Sequence, residues 1–333
     1  MTAVDAIPEF FLLTGFLGSG KTTLLLDLLA EESFQGTGVI VNEVGEINID
    51  GATVASADSG LQLAQLSNGC VCCSMMSDLP MTVAALMDEN ERLGRPPLRR
   101  IVLETSGLSR PAPIIRQLLG LPLPFRITVL ATYDCVNGAL AGERFEEAAA
   151  QLAAAQTIIL TKTDRIDEAA REEAVRTLAA LNPLTRVLDL DRGRDRVLSA
   201  FRSSGASDTR LAEVEARDDG TPAPHERAGV FLARPRGGIE IEMLLEWLDN
   251  LAAYCGPRLL RTKGIVRLGE SGDAILLQSV GTVFDPPRKI AGSAADAIVI
   301  IGRDLDLAEL QGITPDLGLE IRDTYKQRAF VCS

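Results

Sequence analysis

The residues Gly15-Phe16-Leu17-Gly18-Ser19-Gly20-Lys21-Thr22 follow a strict pattern: a glycine, four further residues, then glycine, lysine and threonine. This pattern constrains the fold because it works only between a strand and a helix. The apolar run at 10–13 reads as a short buried strand, and 23–30 (TLLLDLLA) reads as a helix. Such a turn points successive backbone N–H groups at one place, and the helix dipole adds partial positive charge there, making a cradle for an anion. Lys21 is placed to neutralise β- and γ-phosphates, and the Thr22 hydroxyl to hold a Mg²⁺ bridging them. The candidate nucleotide-binding set here is Gly15, Gly18, Ser19, Gly20, Lys21, Thr22 and Thr23; the bland alternative is a structural glycine turn.

A chain of 333 residues suits two domains at about 150 residues each. With 46% hydrophobic and 24% charged residues it can bury a large core, which argues against disorder. No run approaches the roughly 18 apolar residues of a membrane span. The stretch 1–10 lacks the basic start and apolar core of a secretory signal, so a cytoplasmic location is expected. The net charge of −13, with no long basic run, disfavours nucleic acid as a partner.

After the first helix, 37–41 (TGVIV) reads as a second strand running into a polar, glycine-punctuated loop over 42–51. Such a loop lies where a phosphate-binding protein senses the terminal phosphate. Glu43, Glu46 and Asp50 are carboxylates available to Mg²⁺, to a water or to a second metal, with a solvated acidic loop as the alternative.

Six cysteines occur, and Cys70, Cys72 and Cys73 fall within four residues; Cys135, Cys255 and Cys332 are dispersed. In a cytoplasmic protein, clustered thiols point to metal or redox chemistry more than to structural disulfides. Thiolates suit a borderline ion such as Zn²⁺, and three of them reach one ion if the chain turns, which Gly69 permits. Three ligands leave a coordination position open, as suits a site that passes metal on. A redox pair or unligated buried thiols are the alternatives.

Residues 78–93 read as a helix stopped by Gly94 and Pro96-Pro97, followed by a strand at 101–103 that ends in Glu104-Thr105-Ser106-Gly107. Glu104 can hold a Mg²⁺-bound water, and the Gly107 N–H can meet a γ-phosphate. Pro111, Pro113, Pro122 and Pro124 read as a loop-rich connection, 127–132 as a strand ending near Asp134, and 146–156 as an alanine-rich helix. A strand at 157–160 leads to Thr161-Lys162-Thr163-Asp164. There, at the end of what reads as the last parallel strand, the two oxygens of Asp164 can accept from N1–H and the exocyclic amine of guanine. Adenine offers no such pair of donors. Lys162 can lay its methylenes along the base.

The charged, Gly-, Ser- and Pro-rich stretch 192–227 reads as a partly helical connection holding the one histidine, His225, as a surface residue. Beyond it, 230–233, 259–268, 274–280 and 297–301 read as strands, and 240–254 as a helix presenting Ile241, Leu244, Leu245, Leu248 and Leu251 on one face. Nothing there reads as a catalytic constellation.

Taken together, GFLGSGKTTLL at 15–25, VNEVGEINIDG at 41–51, GCVCC at 69–73, ETSGL at 104–108 and TKTD at 161–164 resemble the CobW-type metal-handling GTPases. RTKGIVRL at 261–268 and IIGRDLD at 300–306 resemble that family's C-terminal domain. The resemblance implies an α/β fold, a P-loop NTPase with a mostly parallel sheet over 1–191, a linker over 192–228, and a smaller α+β C-terminal domain over 229–333. It implies a Mg²⁺-dependent GTPase acting as a metallochaperone, with GTP, Mg²⁺ and Zn²⁺ or Co²⁺ as its small partners. A client metalloprotein is the protein partner, with neither nucleic acid nor membrane involved and a homo-oligomer left open. By position, Lys21, Thr22, Glu104 and Asp50 form the catalytic set, with Thr22 on Mg²⁺. Gly107, Lys162 and Asp164 join the nucleotide set, and Cys70, Cys72 and Cys73 are the metal ligands, with Glu43 beside them. Two departures stand out. The histidine-rich segment of many members is missing, which disfavours a storage role, and Thr161 stands where the guanine motif often has Asn. A small-molecule kinase using the same loop, or a binding module with a static zinc clip, are the competing readings.

Overall fold

A computed structural model describes residues 7–31, 34, 36–41, 62–65, 75–202, 211, 214, 228–269, 271–291 and 296–324. Its contacts divide the chain into two compact units, 1–174 with 186–203, and 175–185 with 204–333.

The first unit is built on β1 (Glu9–Thr14), α1 (Lys21–Leu29), β2 (Thr37–Val41), β3 (Gln62–Gln65), α2 (Met75–Arg92), β4 (Arg100–Glu104), α3 (Pro111–Leu119), β5 (Arg126–Asp134), α4 (Gly138–Arg144), α5 (Glu146–Ala154) and β6 (Thr157–Thr161). After α6 (Glu168–Leu181), β7 (Arg186–Leu188) and α7 (Arg194–Ala200) complete it. Seven strands form one sheet in the order β3-β2-β4-β1-β5-β6-β7, and every pairing is parallel. The α/β expectation is therefore met, and its physical reason is visible in β1. Phe10, Phe11, Leu12 and Leu13 are all fully buried, because a parallel sheet is covered on both faces and its central strands carry unbroken apolar runs. On one face Phe11 and Leu13 pack with Leu24, Leu25 and Leu28 of α1 and with Val197, Ala200 and Phe201 at α7. The Phe11 and Phe201 rings meet edge-to-face at 5.4 Å.

Three expectations are corrected here. The proline-marked stretch is not all loop: Pro111 sits at the first position of α3, where its missing N–H costs nothing and its fixed φ suits the helix. Ile114, Ile115 and Leu118 of α3 are buried. Strand β6 is not the last of the sheet, since β7 pairs with it at the outer edge. Helix α1 begins at Lys21 rather than at 23, so the lysine and threonine of the loop lie in its first turn.

The second unit contains β8 (Ala228–Pro235), α8 (Ile241–Cys255), β9 (Leu259–Arg267), β10 (Ala274–Val280), β11 (Val283–Phe284), β12 (Arg288–Ile290), β13 (Ala297–Arg303), α9 (Leu307–Gln311) and β14 (Leu319–Asp323). Its sheet runs β11-β10-β9-β13-β8-β14, with β12 on β10, and all these pairings are antiparallel. Leu244, Trp247, Leu248, Leu251 and Cys255 of α8 pack on Phe231, Val266, Ile275, Ile298 and Ile300. The expected apolar face of this helix is rotated: Leu245 is 42% exposed, while Trp247 is buried. Positions 244, 248, 251 and 255 keep helical spacing with 247, and 245 falls about 100° off that stripe.

Candidate nucleotide-binding site

Ligands of open parallel sheets bind at the carboxyl ends of the strands. Here those ends carry Gly15–Thr22 after β1, Glu104–Gly107 after β4, Asp134 ending β5, and Thr161–Asp164 at the end of β6.

The loop after β1 is shaped by close approach. Gly15 has φ of +140°, and a Cβ there would lie 2.4 Å from the Thr132 hydroxyl, so only glycine fits. The Lys21 ammonium donates to the carbonyls of Gly15 at 3.0 Å and Phe16 at 3.3 Å, folding the side chain back over the loop. Helix α1, with Gly20 at its N-cap, starts without a side-chain cap among the described residues, and a helix N-terminus of this kind favours an anion.

Thr22 follows, and its hydroxyl donates to Oε1 of Glu104 at 2.8 Å. Two oxygen donors, one from the first turn of α1 and one from the end of β4, thus meet at the phosphate end of the site. Glu104 is 7% exposed, and buried carboxylates persist where they are hydrogen-bonded. Both groups are hard oxygen ligands of the kind Mg²⁺ takes, one hydroxyl and one carboxylate beside a phosphate cradle, so the donor set fits that ion.

Gly107 approaches the loop directly. A Cβ on it would lie 2.7 Å from the Leu17 backbone nitrogen, so the turn after Glu104 is packed against the phosphate loop as only glycine allows.

Hydroxyls at the ends of β5 and β6 tie the loop down. Ser19 and Thr132 share a hydrogen bond of 2.7 Å. Thr161 donates to the Ser19 carbonyl at 2.8 Å and lies 2.9 Å from the Tyr133 carbonyl. Thr161, the residue that departs from the usual Asn, therefore ties the phosphate loop to the end of β6. Lys162 has a left-handed backbone, φ +57°, and its ammonium donates to Oδ2 of Asp134 at 2.6 Å. Asp134 also accepts from the backbone N–H of Val136 and Asn137. Burial alone would raise the Asp134 carboxyl, but the Lys162, Val136 and Asn137 hydrogen bonds outweigh it and hold the pKa below the ordinary value. Asp164 sits exposed in the short turn Thr163–Arg165.

Lys21, Thr22, Glu104 and Gly107 are thus brought together, while Lys162 and Asp164 follow β6, which is separated from β1 by β5. Sequence reasoning missed Thr132 and Asp134; Asp134 alone carried a local signal, as the first acid after an apolar strand. Glu43, Glu46, Asp50, Cys70, Cys72 and Cys73 lie outside the described residues, as do His225 and Cys332. Among the described residues no group of three or more His, Cys, Asp or Glu side chains is arranged to hold a metal ion. Cys135 and Cys255 are not in disulfides, and burial pushes each thiol up to about 11. No helix of the described residues is long and apolar enough to cross a membrane.

The parallel sheet and glycine loop define the class, a nucleotide-binding protein of the phosphate-loop type. Residues 9–189 match the CobW/HypB/UreG nucleotide-binding domain, and 229–313 match the cobalamin synthesis protein CobW C-terminal domain; the chain belongs to this family. It is 29% identical over 278 residues to the zinc chaperone YjiA of Escherichia coli, covering 82% of this chain and 86% of that protein. It is 28% identical over 348 residues to the zinc chaperone CobW of Pseudomonas aeruginosa, covering 90% and 88%. The crystal structure of Zn(II)-bound YjiA GTPase from E. coli superposes with a TM-score of 0.67 at 23% identity over 92% of this chain and 97% of that one, which is a likeness of fold.

Proposed function

We propose that this chain is a Mg²⁺-dependent GTPase that binds a transition metal, zinc or cobalt, and delivers it to a client metalloprotein under nucleotide control in the cytoplasm. Membership of the CobW/HypB/UreG family supports this reading, and so do relatives named as zinc chaperones and, in Schizosaccharomyces pombe, as a zinc-regulated GTPase metalloprotein activator. The observation that carries the enzymatic half is the 2.8 Å contact between Thr22 and Glu104 beside the glycine loop.

In this reading the backbone of Gly15, Gly18, Ser19 and Gly20 holds phosphates, with Thr23 continuing the helix N-terminus. Lys21 swings from the loop carbonyls to the β- and γ-phosphates. Thr22 and Glu104 would hold Mg²⁺, which when bound neutralises charge developing on the phosphate oxygens. Gly107 donates its N–H to the γ-phosphate, and Asp50 orients water. Asp164 accepts from guanine, and Lys162, held by Asp134, lies along the base. Cys70, Cys72 and Cys73, with Glu43, take the metal cargo. Ordering the segments around the γ-phosphate changes thiolate geometry, so metal affinity differs between GTP and GDP states.

Zinc or cobalt competition against a chromophoric chelator, with GDP and with a non-hydrolysable GTP analogue, tests this. Different dissociation constants are expected; identical constants remove nucleotide control.

A further inference from the structure

Gln151, on α5, is 1% exposed, and nothing in the roles above uses it. Its Nε2 donates to the carbonyl of Gly107 at 2.9 Å and to that of Ser109, also at 2.9 Å. Both amide protons are thereby used, which fixes the orientation of the group, since two carbonyls can be met only by its NH₂ end. Its Oε1 has no hydrogen-bond partner among the described residues. Gln151 also borders a cavity of about 30 Å³, lined as well by Gly15, Ser19, Thr132 and Asp134, with room for a water molecule.

The attachment of this loop to α5 is double. Arg110 donates to Glu146 at 2.8 Å and to Glu147 at 3.0 Å, both in the first turn of α5. On the other side, Gly107 is packed against Leu17 of the phosphate loop, and Phe16 of that loop stacks on Phe145, which precedes α5, with ring centres 4.7 Å apart. Helix α5, with the Phe145 that caps it, therefore touches both the phosphate loop and the Gly107 turn. A buried amide gripping two carbonyls two residues apart sets the rotation of the intervening peptides, and a ligand pulling on the Gly107 N–H acts against that grip.

We propose that Gln151 is a positioning residue that holds the Gly107 turn in place for the γ-phosphate and passes its displacement to α5. This rests on the GTPase reading and deepens it: α5 becomes the element whose state reports which nucleotide is bound. The interaction concerns only the turn facing the third phosphate, so its loss alters the preference between nucleotides more than nucleotide binding itself.

The test uses the full chain with Mg²⁺ and fluorescent GDP or a fluorescent non-hydrolysable GTP analogue. Gln151→Leu, which cannot donate, should bind GDP within about twofold of the unsubstituted protein and the GTP analogue about tenfold more weakly. Gln151→Glu should show the same loss near about pH 8 and recover as pH falls toward about 6, because a protonated carboxyl can donate to one of the carbonyls. Equal weakening of both nucleotides, or no change in either variant, overturns the proposal. Should both variants fail to fold, hydrogen exchange of the unsubstituted protein decides: α5 amides should differ in protection between GDP and the analogue, and identical protection overturns it. An unsubstituted protein that binds neither nucleotide sinks the GTPase reading instead.

Discussion

The hydroxyl of Thr22 and the carboxylate of Glu104 meet at 2.8 Å, although they are 82 residues apart in the chain. One comes from the first turn of α1 and the other from the end of β4, so the contact exists only because β4 pairs beside β1 in parallel register. Replacing Glu104 with Gln keeps the shape and removes the charge. GTP hydrolysis at limiting Mg²⁺ should fall about 10- to 100-fold, with recovery at high Mg²⁺ and GDP affinity little changed; a Mg²⁺ titration of turnover reads this.

The Lys162–Asp134 pair sets an acid limit. A carboxyl held below its ordinary pKa contributes stability above the unfolded value near about 3.9 and loses it as pH falls through the folded value. Urea midpoints of Asp134→Asn should therefore lie below those of the unsubstituted protein near neutrality, and the gap should narrow as pH falls below the unfolded value. A gap that persists there would assign Asp134 a role independent of its charge.

Asp27 of α1 accepts from Arg192 at 2.7 Å and from the buried Arg196 at 3.0 Å, joining α7 to α1. Asp27→Ala leaves Arg196 without this partner. A loss of about 3 kcal/mol in unfolding free energy is expected, measured by urea titration, because breaking a buried pair strands a charge.

In the second unit, Trp247→Ala should cost about 3–5 kcal/mol, while Leu245→Ala, at an exposed position, should stay within about 0.5 kcal/mol. Comparable losses at both sites would contradict the orientation of α8.

The thiols of Cys135 and Cys255, pushed up to about 11 by burial, stay protonated near neutrality and make poor zinc ligands. Alanine at either position should leave zinc affinity unchanged, whereas Cys72→Ser should lower it about tenfold or more in a protein that still folds, as read by chelator competition.

What the sequence determined alone was whatever is encoded in contiguous residues. The glycine loop, the apolar run of β1 and the acid-tipped end of β4 are local patterns whose chemistry needs little context, and together they specify an α/β nucleotide-binding fold. Four strands of the C-terminal sheet were legible for the same reason. Short edge strands were not: β3 and β7 offer four and three residues, too few to show a period, and their pairing comes from the neighbour beside them. Proline misled at α3, where position within the helix decides whether it breaks or starts one. The roles of Thr161, Thr132 and Gln151 belong to the tertiary structure, because their partners lie 142, 113 and 44 residues away. A hydroxyl or amide carries no local sign of which distant carbonyl it will meet; only strand order and helix packing bring the two within a hydrogen bond.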